Sequence, residues 1–215
     1  MKATKVLIFI LAMFVAVESA AEGSLKIGGS MVQSTDSLNI TSAIKQKWEH
    51  DKWQYDLDST FNYQKSGGSE TTNKYYNSAK VNYAWTPKGY TFALASIDHN
   101  KFRIDNKRHI GGIGYGYKIL RTKRFKASNE FSIATLKTDE VSEAIWRNSL
   151  WFQFKVSPSV LITNKYLVED GNYSRNQTSV EYKFKNGITL GAGNLYTEDT
   201  NMQDNISTFN IGYSW

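Results

Sequence analysis

From residue 22 onward, apolar side chains recur at every second position, in segments of about ten residues, and almost nowhere in longer runs. A period of two belongs to the β-strand, in which successive side chains leave opposite faces. In residues 52–64, Trp53, Tyr55, Leu57, Phe61 and Tyr63 share one face, and Gln54, Asp56, Asp58, Thr60, Asn62 and Gln64 share the other. Residues 74–85 repeat the pattern, with Tyr75, Ala79, Val81, Tyr83 and Trp85 set against Ser78, Lys80 and Asn82. In residues 143–156, Trp146, Leu150, Phe152, Phe154 and Val156 oppose Arg147, Ser149, Gln153 and Lys155. Weaker segments cover 23–32, 38–48, 90–99, 109–119, 125–135, 160–167, 176–184, 188–196 and 205–215. The total is about twelve strands, give or take two, each about as long as a tilted membrane strand.

The segment 205–215, NISTFNIGYSW, carries Phe209, Ile211, Tyr213 and Trp215 on one face, with small or polar residues between them. An exposed aromatic strand at a chain end is unfavourable in water and favourable against lipid. The segment resembles the terminal signal that the barrel assembly machinery of bacterial outer membranes reads. It departs from that pattern in having Asn210 where a glycine is common.

At the other end, Lys2 and Lys5 precede an apolar run over 6–17, followed by Ser19, Ala20 and Ala21. This is the form of a secretory signal peptide, and the run is shorter than the ~17–25 residues of a spanning helix. Cleavage after Ala21 places small residues at both recognition positions. Residues 1–21 are therefore read as a cleaved signal peptide and 22–215 as one domain. No later run can span as a helix, so a membrane form must be a closed barrel. An aromatic content of 14% in an otherwise polar chain suits a barrel, in which only alternate residues meet lipid. The chain has no cysteine, hence no disulfide or thiolate site. Its net charge of +6 would suit nucleic acid, but an export signal argues against that partner.

Keeping the apolar positions in phase predicts short turns at 49–52, 86–89, 120–124, 157–159 and 185–187. At the last, a three-residue turn with a left-handed Gly187 pairs Phe184 with Ile188 and preserves the face. Longer polar connections are expected at 32–37, 64–74, 97–108, 136–145, 167–177 and 197–204, with 64–74 the most loop-like. Short turns at one end and long loops at the other is the outer-membrane pattern. Trp48, Trp53, Trp85, Tyr90, Phe125, Phe154 and Phe184 flank the short turns, as an interfacial girdle would.

The whole of 22–215 resembles the YdiY-like family of salt-induced outer-membrane proteins of unknown function. The resemblance rests on GSLKIGGSMVQSTDSLNI (23–40), the turn between Trp48 and Trp53, NKYYNSAKVNYAWTPKGYTFALASID (73–98) and KFRIDNKRHIGGIGYGYKIL (101–120). The family's first loop usually carries a Ser-Gly-Asn-Thr-like run, whereas here it is Gln33-Ser34-Thr35-Asp36. The resemblance implies an outer-membrane barrel and supplies no catalytic residue.

Candidate chemistry is sparse. His50, His99 and His109 are the only histidines, and their spacing makes no metal site. Asp98 and His99 are adjacent in a strand and so point apart. The glycines at 111–116 lack phosphate-loop spacing and precede no helix. They read instead as a strand with small inward positions at Gly112, Gly114 and Gly116. No catalytic, cofactor-binding or metal-binding residue is assigned, and no cofactor is expected.

Charges out of phase with the apolar face point inward, because at lipid depth each would cost about 2–4 kcal/mol. The expected lumen-lining residues are Lys45, Lys47, Asp56, Asp58, Lys80, Glu130, Arg147, Lys165, Glu181 and Lys183, with Lys118, Lys126 and Lys155 in the same phase. The fold expected is thus all-β, an antiparallel transmembrane barrel in a bacterial outer membrane. Its expected partners are lipid, the assembly machinery and small anionic solutes, and it is expected to be a monomer. The surplus of basic residues suggests a narrow anion-preferring channel with a non-enzymatic envelope role. The alternatives are a structural barrel with a plugged lumen, an outer-membrane enzyme built from rim residues, and a soluble lipocalin-like barrel.

Overall fold

The computed structural model describes residues 22–32, 37–101, 106–170, 173–199 and 202–214. Residues 1–21, read from the sequence as a signal peptide, the Gln33–Asp36 run and Trp215 lie outside these residues. Twelve strands follow in chain order: β1 Glu22–Val32, β2 Ser37–His50, β3 Trp53–Ser66, β4 Ser69–Ala84, β5 Gly89–Asn100, β6 Lys107–Arg121, β7 Phe125–Lys137, β8 Ser142–Lys155, β9 Val160–Glu169, β10 Tyr173–Lys183, β11 Ile188–Asp199 and β12 Met202–Ser214. Every strand pairs antiparallel with its neighbours in sequence, and β1 pairs with β12 to close the barrel. Closure satisfies the backbone groups that an open edge would present to lipid.

The strands alternate as the period of two requires. In β7, Phe131, Ile133 and Thr135 are exposed, while Ser132, Ala134 and Leu136 between them are buried. The exposed face is the apolar one, with Ile113 72%, Ile133 63% and Phe209 71% accessible. Leu57, Val180, Leu190 and Ile211 continue this belt. An apolar exterior of this extent is a lipid-facing surface.

Five tight turns join the strands at the end where β1 begins and β12 finishes. Three are closed by hydroxyl side chains: Thr86, Thr122 and Ser157 accept hydrogen bonds from the N–H groups of Gly89, Phe125 and Val160 at 2.7, 2.9 and 3.1 Å. At the fifth, Gly187 has φ +85°, and the Phe184 N–H donates to the Ile188 carbonyl at 2.8 Å, the form expected for this turn.

The opposite end differs from expectation. The strands run through most of the segments read as long loops, leaving only 67–68, 138–141 and 170–172 between β3 and β4, β7 and β8, and β9 and β10. Residues 197–204 shrink likewise to the link between Asp199 and Met202, which are paired. Residues 64–74 are a hairpin, in which Ser66 pairs with Ser69 across Gly67 and Gly68. Both glycines have positive φ, 56° and 81°, as a two-residue primed turn needs. The physical reason is that the hydrogen-bonded ladder extends beyond the apolar belt. Out in water a strand needs no apolar face, so the alternation that marks strands fades before the strands end.

Candidate functional site: a charged lumen

The interior of the barrel holds a cavity of about 760 Å³. Its lining includes ten basic and five acidic side chains. Lys45, Lys47, Asp56, Asp58, Lys80, Glu130, Arg147, Lys165 and Glu181 are among them. Lys183, in phase with Glu181 at the last position of β10, is exposed beside a turn and is not among the lining residues.

Two charge clusters cross the interior. In the first, Lys80 on β4 donates to Glu130 on β7 at 2.7 Å, and the Tyr90 hydroxyl donates to the same oxygen at 2.6 Å. The Lys80 ammonium also lies 5.4 Å from the centre of the Phe92 ring. Nearby, Asp56 accepts from Gln54 and Asn82 at 2.8 Å, and Lys45 faces Asp58 at 3.6 Å.

The second cluster involves residues from segments expected to be loops. Glu169, at the end of β9, accepts from Arg108 on β6 at 2.6 Å and from Arg147 on β8 at 2.7 Å. All three are buried, Glu169 to 3% exposure. The Arg108 guanidinium lies 4.2 Å from the Tyr173 ring centre, and that of Arg175 lies 4.7 Å from Tyr76. Arg147 is thus engaged with Glu169, which sequence reasoning did not consider. A signal was present: Lys165, Leu167 and Glu169 keep one phase, as do Arg175, Gln177, Ser179 and Glu181.

Lys165 differs from these. It lines the cavity and makes no hydrogen bond or ion pair among the described residues. Its register partners, Trp151 and Gln177, also line the lumen. An unpaired ammonium in a polar cavity can hold a hydrated anion.

One aromatic is reassigned. Tyr90 was expected in the girdle, but it points inward at 9% exposure and binds Glu130. The glycines of β6 explain why. Leu94, Phe92 and Tyr90 pair in register with Gly112, Gly114 and Gly116. A Cβ on Gly116 would sit 2.2 Å from the Tyr90 ring, and one on Gly114 would sit 2.5 Å from Phe92. The small inward positions therefore make room for large side chains of the neighbouring strand.

The histidines do not converge. His99 faces outward and its ring lies 4.8 Å from that of Tyr75, whereas His50 and His109 are exposed on β2 and β6. Phe209, Ile211 and Tyr213 stand exposed on the outer face of β12.

No curated protein sequence matches the chain. Among solved structures the barrel is similar to a KdgM porin in complex with disordered oligogalacturonate, with TM-score 0.53 and 8% identity over 89% of this chain and 98% of that one. It is similar to the NanC porin, with TM-score 0.53 and 9% identity over 88% and 97%. It is also similar to the COG4313 outer membrane channel from Pseudomonas putida F1, with TM-score 0.53 and 11% identity over 91% and 94%. At such identities these likenesses establish a porin-like fold and nothing finer. The family described as "Protein of unknown function, DUF481" matches residues 26–215, and the chain, with its YdiY-like motifs, belongs to that family.

Proposed function

We propose that the protein is a monomeric outer-membrane barrel whose lumen passes small solutes and prefers anions. The observation that carries this reading is the charge of the lumen, ten basic against five acidic lining residues, with Lys165 unpaired at the cavity wall. Fixed charges between low-dielectric walls concentrate counter-ions at a constriction. The surplus is greatest toward the turn end, where Lys47, Lys52, Lys118, Arg121 and Lys126 line the cavity with Glu49 as the acid beside them. An inside that is charged and an outside that is apolar argue against a lipocalin-like barrel, which needs the reverse. In this reading the chain is exported by its signal peptide and inserted through the assembly signal Phe209, Ile211, Tyr213 and Trp215. It uses no cofactor, binds no nucleic acid and carries out no catalysis.

A second reading is favoured by the ties between strands that are not neighbours, Lys80–Glu130 from β4 to β7 and Arg108–Glu169 from β6 to β9, the latter joined by Arg147 of the adjacent β8. These narrow the lumen and would suit a structural barrel that conducts nothing. Planar-bilayer recording separates the two readings. The channel reading expects weak conductance with chloride preferred to potassium at low salt, and a smaller preference for Lys165→Glu. Reproducible insertion without current would overturn it in favour of the structural barrel. Cation preference would overturn the assignment to anions.

A further inference from the structure

The turn end of the barrel carries a ring of cations that the lumen does not use. Four of the five turns bear or adjoin an exposed basic side chain that is not part of the cavity lining: Lys88, Lys123 with Arg124, Lys155 and Lys185. None of these side chains makes a hydrogen bond or ion pair among the described residues. Among the described side chains at this end, Glu49 pairs with Lys47, and Asp51 lies 3.5 Å from the ring of His50. The opposite end is of mixed sign, with Asp139, Glu140, Asp170 and Lys101 in its connections and Lys107 and Lys137 at its strand ends.

Directly beside the basic turns lie aromatic rings of the outer face. Trp85, Trp53, Tyr213 and Phe184 are 62%, 43%, 51% and 41% exposed. Trp53 packs on Tyr83, and Tyr83 on Trp85, with ring centres 4.9 and 5.2 Å apart. Such rings settle at the boundary between acyl chains and headgroups. Side chains one step beyond them stand at the level of lipid phosphates.

From this juxtaposition we infer that the basic turns bind the phosphate headgroups of anionic phospholipids in the leaflet on the turn side. The inference rests on the membrane-barrel reading above and is independent of whether the lumen conducts. Three observations favour lipid over an acidic protein. The cations spread around most of the circumference, because the four turns that carry them run from β4 to β11 of a closed twelve-stranded barrel, whereas a docked protein would cover one side. They adjoin the aromatic girdle at turns on different sides of the barrel. They also lack protein partners, so each can take a phosphate without breaking an existing pair. Cations close to an anionic surface gain attraction that salt screens.

The aromatic girdle supplies the reporter, since Trp48, Trp53 and Trp85 lie beside the ring and brominated lipids quench tryptophan on contact. Full-length mature protein is reconstituted in phosphatidylcholine vesicles containing either brominated phosphatidylglycerol or brominated phosphatidylcholine. The expected result is stronger quenching by the anionic lipid, with a relative binding constant of about fivefold or more. That ratio should fall toward one in molar salt. It should also fall in the quadruple variant Lys88→Gln, Lys123→Gln, Arg124→Gln, Lys185→Gln, whose folding is checked by its mobility on unheated gels. Equal quenching by the two lipids in the native protein would overturn the inference and leave the ring to an acidic protein. An anionic preference that survives both molar salt and the quadruple substitution would also overturn it, by placing the lipid elsewhere. The native-protein and salt arms stand even if the variant does not fold. Absence of quenching by either lipid would strike instead at the membrane-barrel reading, and the inference would fall with it.

Discussion

Tyr90 and Gly116 show how one residue's absence of a side chain places another's. The three atoms nearest to a Cβ built on Gly116 all belong to Tyr90, at 2.2–2.6 Å. The ring cannot yield easily, because its hydroxyl is held by Glu130 at 2.6 Å. Gly116→Ala is expected to destabilise the barrel by about 1–3 kcal/mol, the usual cost of overpacking. Most of that cost should vanish in a Tyr90→Ala background, and a double-mutant cycle in urea measures the coupling. Additive effects would show that the two residues do not compete for this space. Glu169 poses the converse case. It balances two buried guanidiniums, so Glu169→Gln leaves Arg108 and Arg147 uncompensated. A loss of about 3–5 kcal/mol is expected in the same assay. A loss below about 1 kcal/mol would mean that water already solvates the arginines in the native lumen.

The hairpin between β3 and β4 carries the prediction at the scale of elements. Gly67 and Gly68 sit at φ 56° and 81°, and no heavy atom lies within 4 Å of a Cβ at either position. Backbone conformation alone should therefore decide what is tolerated there. Gly67→Asn is expected to be nearly neutral, since asparagine accepts left-handed geometry. Gly68→Val should cost about 1–2 kcal/mol, because a β-branched residue does not. Equal tolerance of the two substitutions in thermal unfolding would argue against the primed turn. Sequence reading took this stretch for a loop because its composition, QKSGGSETTNK, is polar throughout. The same composition is compatible with a ladder standing in water, where pairing comes from the backbone and a two-residue turn rather than from an apolar face.

For the whole molecule, closure is the property with consequences. β1 and β12 must meet, with Ile27 opposite Ile211 and Leu25 opposite Tyr213. The last strand is thus needed before the barrel has no open edge. Replacing Tyr213 and Trp215 together by serine is expected to lower the amount of assembled protein in the envelope several-fold. The readout is the fraction that migrates faster on unheated SDS gels. Native levels of the fast form would count against the assembly signal. Mass spectrometry of the same envelope fraction should find Glu22 as the first residue of the mature chain. An intact Met1 would remove the signal peptide from the account.

How much of this was legible beforehand follows from what each interaction depends on. Strand number, the membrane-facing side of each strand and the inward phase of Lys80, Glu130 and Lys165 were readable from the sequence alone. They depend only on a period of two and on the cost of charge in lipid, and both are local to a strand. Membership of the lumen could be read, but partnership within it could not. Lys80 meets Glu130 across 50 positions, and Arg108 meets Glu169 across 61. Which cation finds which acid depends on register and on the closing of β1 against β12, properties of the sheet rather than of any segment. The inward turn of Tyr90 likewise required the register that sets it opposite Gly116. The sequence by itself determined that this chain becomes a barrel with charge inside and apolar residues outside. Only the tertiary structure decided which charges cancel and which remain free in the lumen, because pairing energy falls off over a few ångströms and only the closed sheet brings distant residues that close.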